Sequence, residues 1–280
     1  MIATAKFDIE KVVQTELPPL PGAAMRVASL TQDVNASTRA IADALGADPV
    51  LAARVLRAAN SPMYSLERRV TALPMAVNAL GNHTLNLLSV VSATADALKD
   101  KKFQTALMKK LWIHSLAVGV AARALIRELK LNGGEEAFIC GLLHDIGKLI
   151  LNSCDAELYA SCASCEDEQG MLDREREIFG YTHAQVGALV AKRWNFPDEI
   201  SYAIYNHHHP GESKGSVVIS RVIDVADSLA ISHGFGLRGP ADTIPAFTES
   251  GIALRLGTEQ LDEVWAKIEP ELNEMLSVFS

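Results

Sequence analysis

Aromatic side chains are scarce in this sequence. They make up 6% of the 280 residues, whereas alanine and leucine are abundant. β-Strands favour aromatic and β-branched residues, so the composition favours packed helices over sheets. In addition, no segment alternates apolar and polar residues with a period of two between hairpin turns. We therefore predict an all-α protein with little or no sheet.

Positive charge is also in short supply. The chain has 26 lysines and arginines against 34 aspartates and glutamates, which gives a formal net charge of −8. Binding to nucleic acid or to an anionic membrane needs a positive field, so this balance argues against both kinds of partner. No apolar run approaches the length of a membrane span, and residues 1–15 lack the apolar block of a signal peptide. We therefore expect a cytoplasmic protein without a membrane partner.

Cysteines are few as well: Cys140, Cys154, Cys162 and Cys165. In the cytoplasm we expect them to be reduced thiols. Cys162-Ala-Ser-Cys165 has the spacing of a zinc or redox motif, but no second such pair exists. We interpret it as two small residues on a helix.

Helix start and stop signals divide most of the chain. Asn35 or Ser37 can cap a helix that stops at Gly46, and Asp48-Pro49 is an N-cap followed by proline at the first helical position. Gly81 can close a short helix over residues 74–80. Further helices are predicted over residues 84–98, 105–130, 135–153, 156–168, 172–179, 183–194, 198–207, 217–232 and 258–277.

The composition changes near residue 105. Seven of the eight histidines lie beyond it, and His83 is the exception. We predict an N-terminal helical part over residues 1–104, a site-bearing helical core over residues 105–235, and a C-terminal loop and helix over residues 236–280. No flexible linker divides the first two parts, so we expect them to pack as one unit.

The main chemical signal is Gly141-Leu-Leu-His144-Asp145-Ile-Gly-Lys148. On a helix, adjacent residues lie about 100° apart, so His144 and Asp145 could reach one metal or two neighbouring metals. An imidazole with a carboxylate suits Fe, Mn or Zn. Taken alone, a histidine–aspartate pair is more often a buried hydrogen-bonded pair than a ligand set.

Other apolar segments add candidate ligands. His114, His183 and His207-His208 lie on or at the ends of helices with inward-facing apolar residues. Asp227 lies in an apolar helix, where an unpaired carboxylate would be costly. Five separate apolar helices that each offer a ligand are hard to explain without a metal site.

In this order the residues resemble the HD superfamily of metal-dependent phosphohydrolases, and its HD-GYP branch in particular. The resemblance implies that His114, His144, Asp145 and Asp227 hold one divalent ion. It implies that Asp145, His183, His207 and His208 hold a second, with Asp145 bridging. Catalysis would use Asp145 and Lys148, because the lysine would approach a substrate phosphate while metal hydroxide attacks phosphorus. We predict that all seven ligands converge and that His209 and His233 point elsewhere.

The N-terminal half resembles a narrower family. The segments Leu17-Pro-Pro-Leu-Pro21, Asp48-Pro-Val-Leu-Ala-Ala-Arg-Val-Leu-Arg-Ala-Ala-Asn-Ser61 and Ala76-Val-Asn-Ala-Leu-Gly81 are similar to the HDOD domain. That family is commonly an output or scaffold module in bacterial signalling, and many members have lost the metal ligands. The resemblance, over roughly residues 15 to 235, implies a helical bundle of HD-domain type with an N-terminal helical subdomain packed on it.

Two departures from the HD-GYP pattern affect the expected chemistry. After Pro210 the sequence continues Gly211-Glu-Ser-Lys-Gly-Ser instead of a Gly-Tyr-Pro loop, which disfavours hydrolysis of cyclic dinucleotides. Lys110 stands where some relatives offer a carboxylate for a third metal, so a third metal is not expected. The remaining ligand set is unusually complete for an HDOD protein.

These observations leave alternatives for the function. The first is a regulatory HDOD module that binds a signalling protein, with a structural or vestigial metal site, and this reading is favoured. The second is a working phosphohydrolase that acts on a nucleotide or phosphoester. The third is DNA binding, since residues 41–59 superficially resemble a helix-turn-helix. Only Arg54 and Arg57 could contact DNA there, and the chain is acidic, so DNA binding is disfavoured.

Overall fold

The computed structural model describes residues 7–15, 21–60, 69–97, 106–165, 167–194, 196–213, 215, 217–237 and 244–279. These residues form helices joined by turns and loops, with no strand among them, which confirms the all-α fold class. The proline-rich segment at residues 17–20, the end of the Asp48–Ser61 motif and the boundary at residues 104 and 105 lie outside the described residues.

The helices follow one another closely. They are α1 (Ile9–Thr15), α2 (Gly22–Gln32), α3 (Thr38–Gly46), α4 (Pro49–Ala59), α5 (Leu73–Ala97), α6 (Ala106–Glu128), α7 (Gly134–Leu143), α8 (Ile146–Cys154), α9 (Ala156–Ala163), α10 (Glu168–Phe179), α11 (His183–Arg193), α12 (Asp198–Tyr205), α13 (Val217–Ala230), α14 (Glu249–Leu254) and α15 (Thr258–Phe279). Short turns lie at Pro210–Glu212, Ile231–Phe235 and Pro245–Phe247.

The chain divides into two compact units. One contains residues 1–18 and 100–265, and the other contains residues 19–99 and 266–280. The first unit carries all the candidate metal ligands. The three-part division made from the sequence stays a prediction.

In the second unit, the start signals act as predicted. The Ser37 hydroxyl accepts a hydrogen bond from the backbone N–H of Ala40 at 3.1 Å and caps α3. The Asp48 carboxylate caps α4. Arg54 is buried and paired with Asp96 at 3.2 Å, so its guanidinium is not displayed on the surface as a DNA contact would require.

In the first unit, α6 packs on α7 and α13, and α11 packs on α8 and α12. Small residues permit the first of these contacts, since a Cβ atom at Gly141 would lie 2.8 Å from the Cα atom of Gly119. A Cβ atom at Gly147 would overlap the carbonyl oxygen of His183. These close approaches bring the helices that carry His114, His144 and His183 against one another.

The segment that carries His144 and Asp145 differs from the prediction of a single helix over residues 135–153. Helix α7 ends at Leu143 and α8 begins at Ile146, and Asp145 between them has φ −99° and ψ 5°. The stretch Gly134–Cys154 is the part of the described chain that is long and apolar enough to span a membrane by composition, with mean hydropathy 1.3. Its apolar window is 89% buried inside the protein, as expected for a core helix.

Candidate metal centre

The structure brings all seven predicted ligands together around Asp145. One carboxylate oxygen, Oδ2, lies 3.6 Å from Nε2 of His114 and 3.5 Å from Nε2 of His144. The other, Oδ1, lies 3.4 Å from Nε2 of His183 and 4.0 Å from Nε2 of His207. Asp145 therefore presents one oxygen to each of two sets of imidazoles.

Two groups of potential ligand atoms flank this carboxylate. His114, His144 and Asp227 form one group, and His183, His207 and His208 form the other. In each group the ligand atoms all lie within 4.8 Å of one another. These two groups match the grouping that the HD resemblance implies, and a third group of His144, Asp145 and His207 joins them.

Every imidazole of the cluster is oriented through its other ring nitrogen. The Nδ1 partners are the carbonyl oxygens of Phe235 for His114 (3.1 Å), Gly141 for His144 (2.8 Å) and Ile204 for His207 (2.6 Å), and the carboxylates of Glu175 for His183 (2.8 Å) and Glu168 for His208 (3.3 Å). These oxygens accept hydrogen bonds, so each Nδ1 donates. This leaves Nε2 directed into the cluster, as in histidines that bind metals.

Several atoms directed into the cluster have no hydrogen-bond partner. Nε2 of His144, Nε2 of His207 and Oδ1 of Asp145 are buried and unpaired. Buried polar atoms are almost always satisfied, so three such atoms in one place require an explanation. Divalent cations bound to these atoms would satisfy them, and the nitrogen and oxygen donors suit Fe, Mn or Zn.

Burial keeps three of the imidazoles neutral. It lowers the pKa of His144, and it lowers the pKa values of His183 and His207 well below the usual value. Neutral imidazole is the form that coordinates a metal. These three histidines are therefore ready to act as ligands without losing a proton.

The other two imidazoles face carboxylates. Burial would lower the pKa values of His114 and His208, but carboxylate partners outweigh it. Asp227 Oδ1 lies 3.1 Å from Nε2 of His114 and raises its pKa, and Glu168 raises the pKa of His208. A metal that binds these two imidazoles competes with protons.

Lys148 lies inside the cluster as the cation closest to Asp145. Its Nζ atom donates to Asp145 Oδ2 at 2.7 Å, and both side chains are buried. Burial alone would raise the pKa of Asp145, but the positive charges of Lys148 and His114 hold it well below its usual value. Asp145 is therefore ionised, and one of its oxygens is already engaged.

Two acidic residues of the site were missed by the sequence analysis. The Glu175 carboxylate accepts hydrogen bonds from both the backbone N–H and Nδ1 of His183, at 2.7 and 2.8 Å, and burial raises its pKa to about 7. Glu168 begins α10, because Asp167 caps that helix through the backbone N–H of Gly170. The predicted helix over residues 156–168 is therefore wrong at its end, since α9 stops at Ala163.

The remaining two histidines lie elsewhere. The backbone of His209 precedes the turn Pro210–Glu212, and the residue is absent from the ligand groups found among the described residues. His233 stacks on Trp265, with ring centroids 4.3 Å apart. Both placements agree with the expectation that these histidines point away from the cluster.

The more exposed side chains of the cluster are acidic. The side chains of Asp227 and Glu168 are 16% and 52% exposed, whereas that of Asp145 is 1% exposed. Half-buried Asp224 lies near them, since burial and the negative charges of Asp227 and Glu168 raise its pKa. Three carboxylates thus border the accessible side of the cluster.

Curated relatives share part of this chain. An uncharacterized protein of Treponema pallidum is 26% identical over 205 residues, which are 69% of this chain and 38% of that protein. Ribonuclease Y of Mycoplasma mycoides is 28% identical over 171 residues, which are 60% of this chain and 28% of that enzyme. The chain therefore spans well under half the length of these relatives.

Solved structures match nearly the whole chain. A Shewanella amazonensis protein, provisionally described as a phosphohydrolase, has a TM-score of 0.77 and 26% identity over 98% of both chains. An HDOD domain protein of unknown function from Geobacter sulfurreducens has a TM-score of 0.76 and 26% identity, covering 96% of this chain and 95% of that one. The HDOD domain matches residues 17–210, well over half of the sequence. On the strength of that match, this chain belongs to the HDOD domain family.

Proposed function

We propose that this chain is a regulatory module of bacterial signalling that acts by contacting a partner protein, while a divalent-metal centre stabilises its fold. The observation that carries this proposal is the 2.7 Å contact between Lys148 Nζ and Asp145 Oδ2. The lysine that the HD resemblance assigns to a substrate phosphate is already neutralised by a buried carboxylate. It is therefore not displayed as a free phosphate-binding cation.

The charges on the accessible side support the same proposal. Besides Asp145, the carboxylates of Glu168 and Asp227 lie near enough to Lys148 to raise its pKa, so a phosphoester at this lysine would also face these negative charges. Like charges at such short range repel, and the repulsion grows where water is excluded. This acidic environment suits a cation better than an anionic substrate.

The donor set is suited to hold one or two ions of Fe, Mn or Zn. The ligands would be His114, His144, Asp145, His183, His207, His208 and Asp227. When bound, such ions would supply Lewis-acid activation of water and of a phosphoryl oxygen. In a regulatory module their main effect is on stability, because an ion that binds only the native state stabilises that state by mass action.

A metal-dependent phosphohydrolase is the second candidate, and the complete ligand set favours it. The names of ribonuclease Y and of the Shewanella protein describe enzymes that hydrolyse phosphoesters, although the matched region spans only 28% of ribonuclease Y. In this case Lys148 would leave Asp145 and meet the phosphate of a nucleotide or other phosphoester. Asp145 would then remain as the carboxylate shared between the two ligand groups.

Turnover assays separate the two candidates. The protein, loaded in turn with Mn²⁺, Zn²⁺ and Fe²⁺, is incubated with a panel of phosphomonoesters, phosphodiesters and short RNA. We expect no turnover above that of the His144→Ala, Asp145→Ala double variant. Metal-dependent hydrolysis that is absent from the double variant would establish the enzyme instead.

A further inference from the structure

Trp265 on α15 contacts the segment that follows the helix bearing Asp227. Its buried ring stacks on the ring of His233, with centroids 4.3 Å apart and planes at 17°. The same ring lies 5.4 Å from the ring of Phe235, at 51°. One tryptophan therefore holds two residues of the turn Ile231–Phe235.

This turn departs from regular α-helix. His233 has φ −95° and ψ 16°, and Gly234 has φ 86° and ψ 8°, in the left-handed region. Here the departure ends α13 and directs the carbonyl group of Phe235 to α6.

The Phe235 carbonyl orients a candidate ligand. It accepts a hydrogen bond from Nδ1 of His114 at 3.1 Å, which leaves His114 Nε2 facing Asp227 Oδ1 at 3.1 Å. Asp227 belongs to α13, only eight residues earlier in the chain. One continuous segment thus supplies a ligand and also fixes the tautomer and direction of another.

We propose that Trp265 is a positioning residue for the candidate metal centre. By stacking on His233 and contacting the ring of Phe235, it fixes the carbonyl group that orients His114. The inference rests on the metal binding proposed above. It assigns to Trp265 a role in the chemistry of a site to which it contributes no ligand.

Ordinary core packing is the competing explanation. A tryptophan that serves only as packing stabilises the metal-free and metal-bound forms equally. Its loss would then lower the melting temperature of both forms and leave the affinity for metal unchanged. A positioning residue also changes the affinity and the state of the His114 ring, so the two roles give different results.

The experiment compares Trp265→Leu, Trp265→Phe and His233→Ala with the wild type. Trp265→Phe keeps an aromatic ring, and His233→Ala removes an exposed ring, so it tests the stack with little risk to folding. Phe247→Leu, at a ring 70% exposed in the same unit, is the control. Dissociation constants for Zn²⁺ and Mn²⁺ are measured by competition with a chelator, alongside the melting temperature of each metal-free protein.

We expect Trp265→Leu and His233→Ala to weaken metal binding about tenfold, the lower end of losses seen when a ligand's supporting hydrogen bond is disturbed. Trp265→Phe should retain most of the affinity, and Phe247→Leu all of it. Unchanged affinity in both Trp265→Leu and His233→Ala would overturn the inference. If Trp265→Leu does not fold, the metal affinity of His233→Ala alone tests the inference, and an unchanged affinity overturns it.

A second readout does not depend on metal. In the metal-free protein, the buried Nδ1–H proton of His114 should give a protected imidazole resonance in NMR spectra of the wild type and of Trp265→Phe. We expect this resonance to be lost in Trp265→Leu and in His233→Ala. If the wild type shows this resonance but binds no metal, the proposed metal centre alone is refuted. If the resonance persists in both Trp265→Leu and His233→Ala, the role of Trp265 is refuted.

Discussion

The Nε2 atoms of His183 and His208 lie 2.7 Å apart. Each ring donates through Nδ1 to a carboxylate, Glu175 for His183 and Glu168 for His208. Two nitrogen lone pairs cannot face each other at this distance without a positive charge between them. In the absence of metal, one nitrogen must carry a proton, and the raised pKa of His208 identifies it as the donor. Metal and proton are thus alternative occupants of one position.

Metal affinity should therefore fall as the pH falls. The pKa values of His114 and His208 are raised, so both stay protonated to a higher pH than an ordinary histidine does. A metal must displace those protons, and binding should release them. Calorimetric titrations with Zn²⁺ in two buffers of different ionisation enthalpy measure the number released. Affinity that does not change between pH 5.5 and 8, with no proton release, would contradict this pattern.

Replacing Lys148 should leave metal content intact. The ammonium is not a ligand, and its loss removes only a charge that neutralises Asp145. For a regulatory module, Lys148→Ala should also keep its cellular output, and exposed Lys192→Ala is the matched control. In a phosphohydrolase the same change would remove transition-state charge stabilisation and lower the rate about a hundredfold. Turnover that collapses in Lys148→Ala while fold and metal content are retained would establish the enzyme.

Glu175→Gln should weaken metal binding without removing any ligand. The carboxylate accepts hydrogen bonds from both the backbone N–H and the ring of His183, and a neutral amide oxygen accepts them more weakly, so the ring is held less firmly. Loss of such a supporting carboxylate typically costs tenfold to a hundredfold in metal affinity. Exposed Glu177→Gln on the same helix is the control. Equal dissociation constants for the two variants would show that Glu175 is not needed for binding.

The four thiols should react at different rates in the folded protein. Burial raises the pKa of Cys140 strongly and that of Cys162 to about 11, so neither forms thiolate at pH 8. Cys154 and Cys165 are half-buried and should react first with iodoacetamide. Mass spectrometry of the labelled peptides gives the order. Rapid labelling of Cys140 or Cys162 before unfolding would mean that these helices open readily.

The helical scaffold was largely predictable because its signals are local. Ser37 and Asp48 cap helices where their side chains can reach the next turn, and Gly81 interrupts α5 with φ 73°. The candidate ligands were also identifiable, because imidazoles and a carboxylate on apolar helix faces stand out. That they act as metal ligands stays a prediction.

The helix break and the groups that orient the candidate ligands depend on tertiary structure. No glycine or proline stands at His144 or Asp145, where the helix breaks, so the local sequence indicated one continuous helix. The Phe235 carbonyl that orients His114 belongs to the backbone and has no sequence signal. Glu175 did have a sequence signal, since it lies on the buried face of α10 with Met171, Leu172 and Phe179 at helical spacing.

Metal analysis of the purified wild type and of the double variant His144→Ala, Asp145→Ala tests the central claim most directly. The double variant loses one imidazole of the first ligand group and the carboxylate that faces both groups. Circular dichroism establishes that each protein is folded, and elemental analysis gives the moles of Fe, Mn and Zn per chain. We predict one to two ions per chain in the wild type and almost none in the double variant. Equal metal content in the two folded proteins would contradict the account.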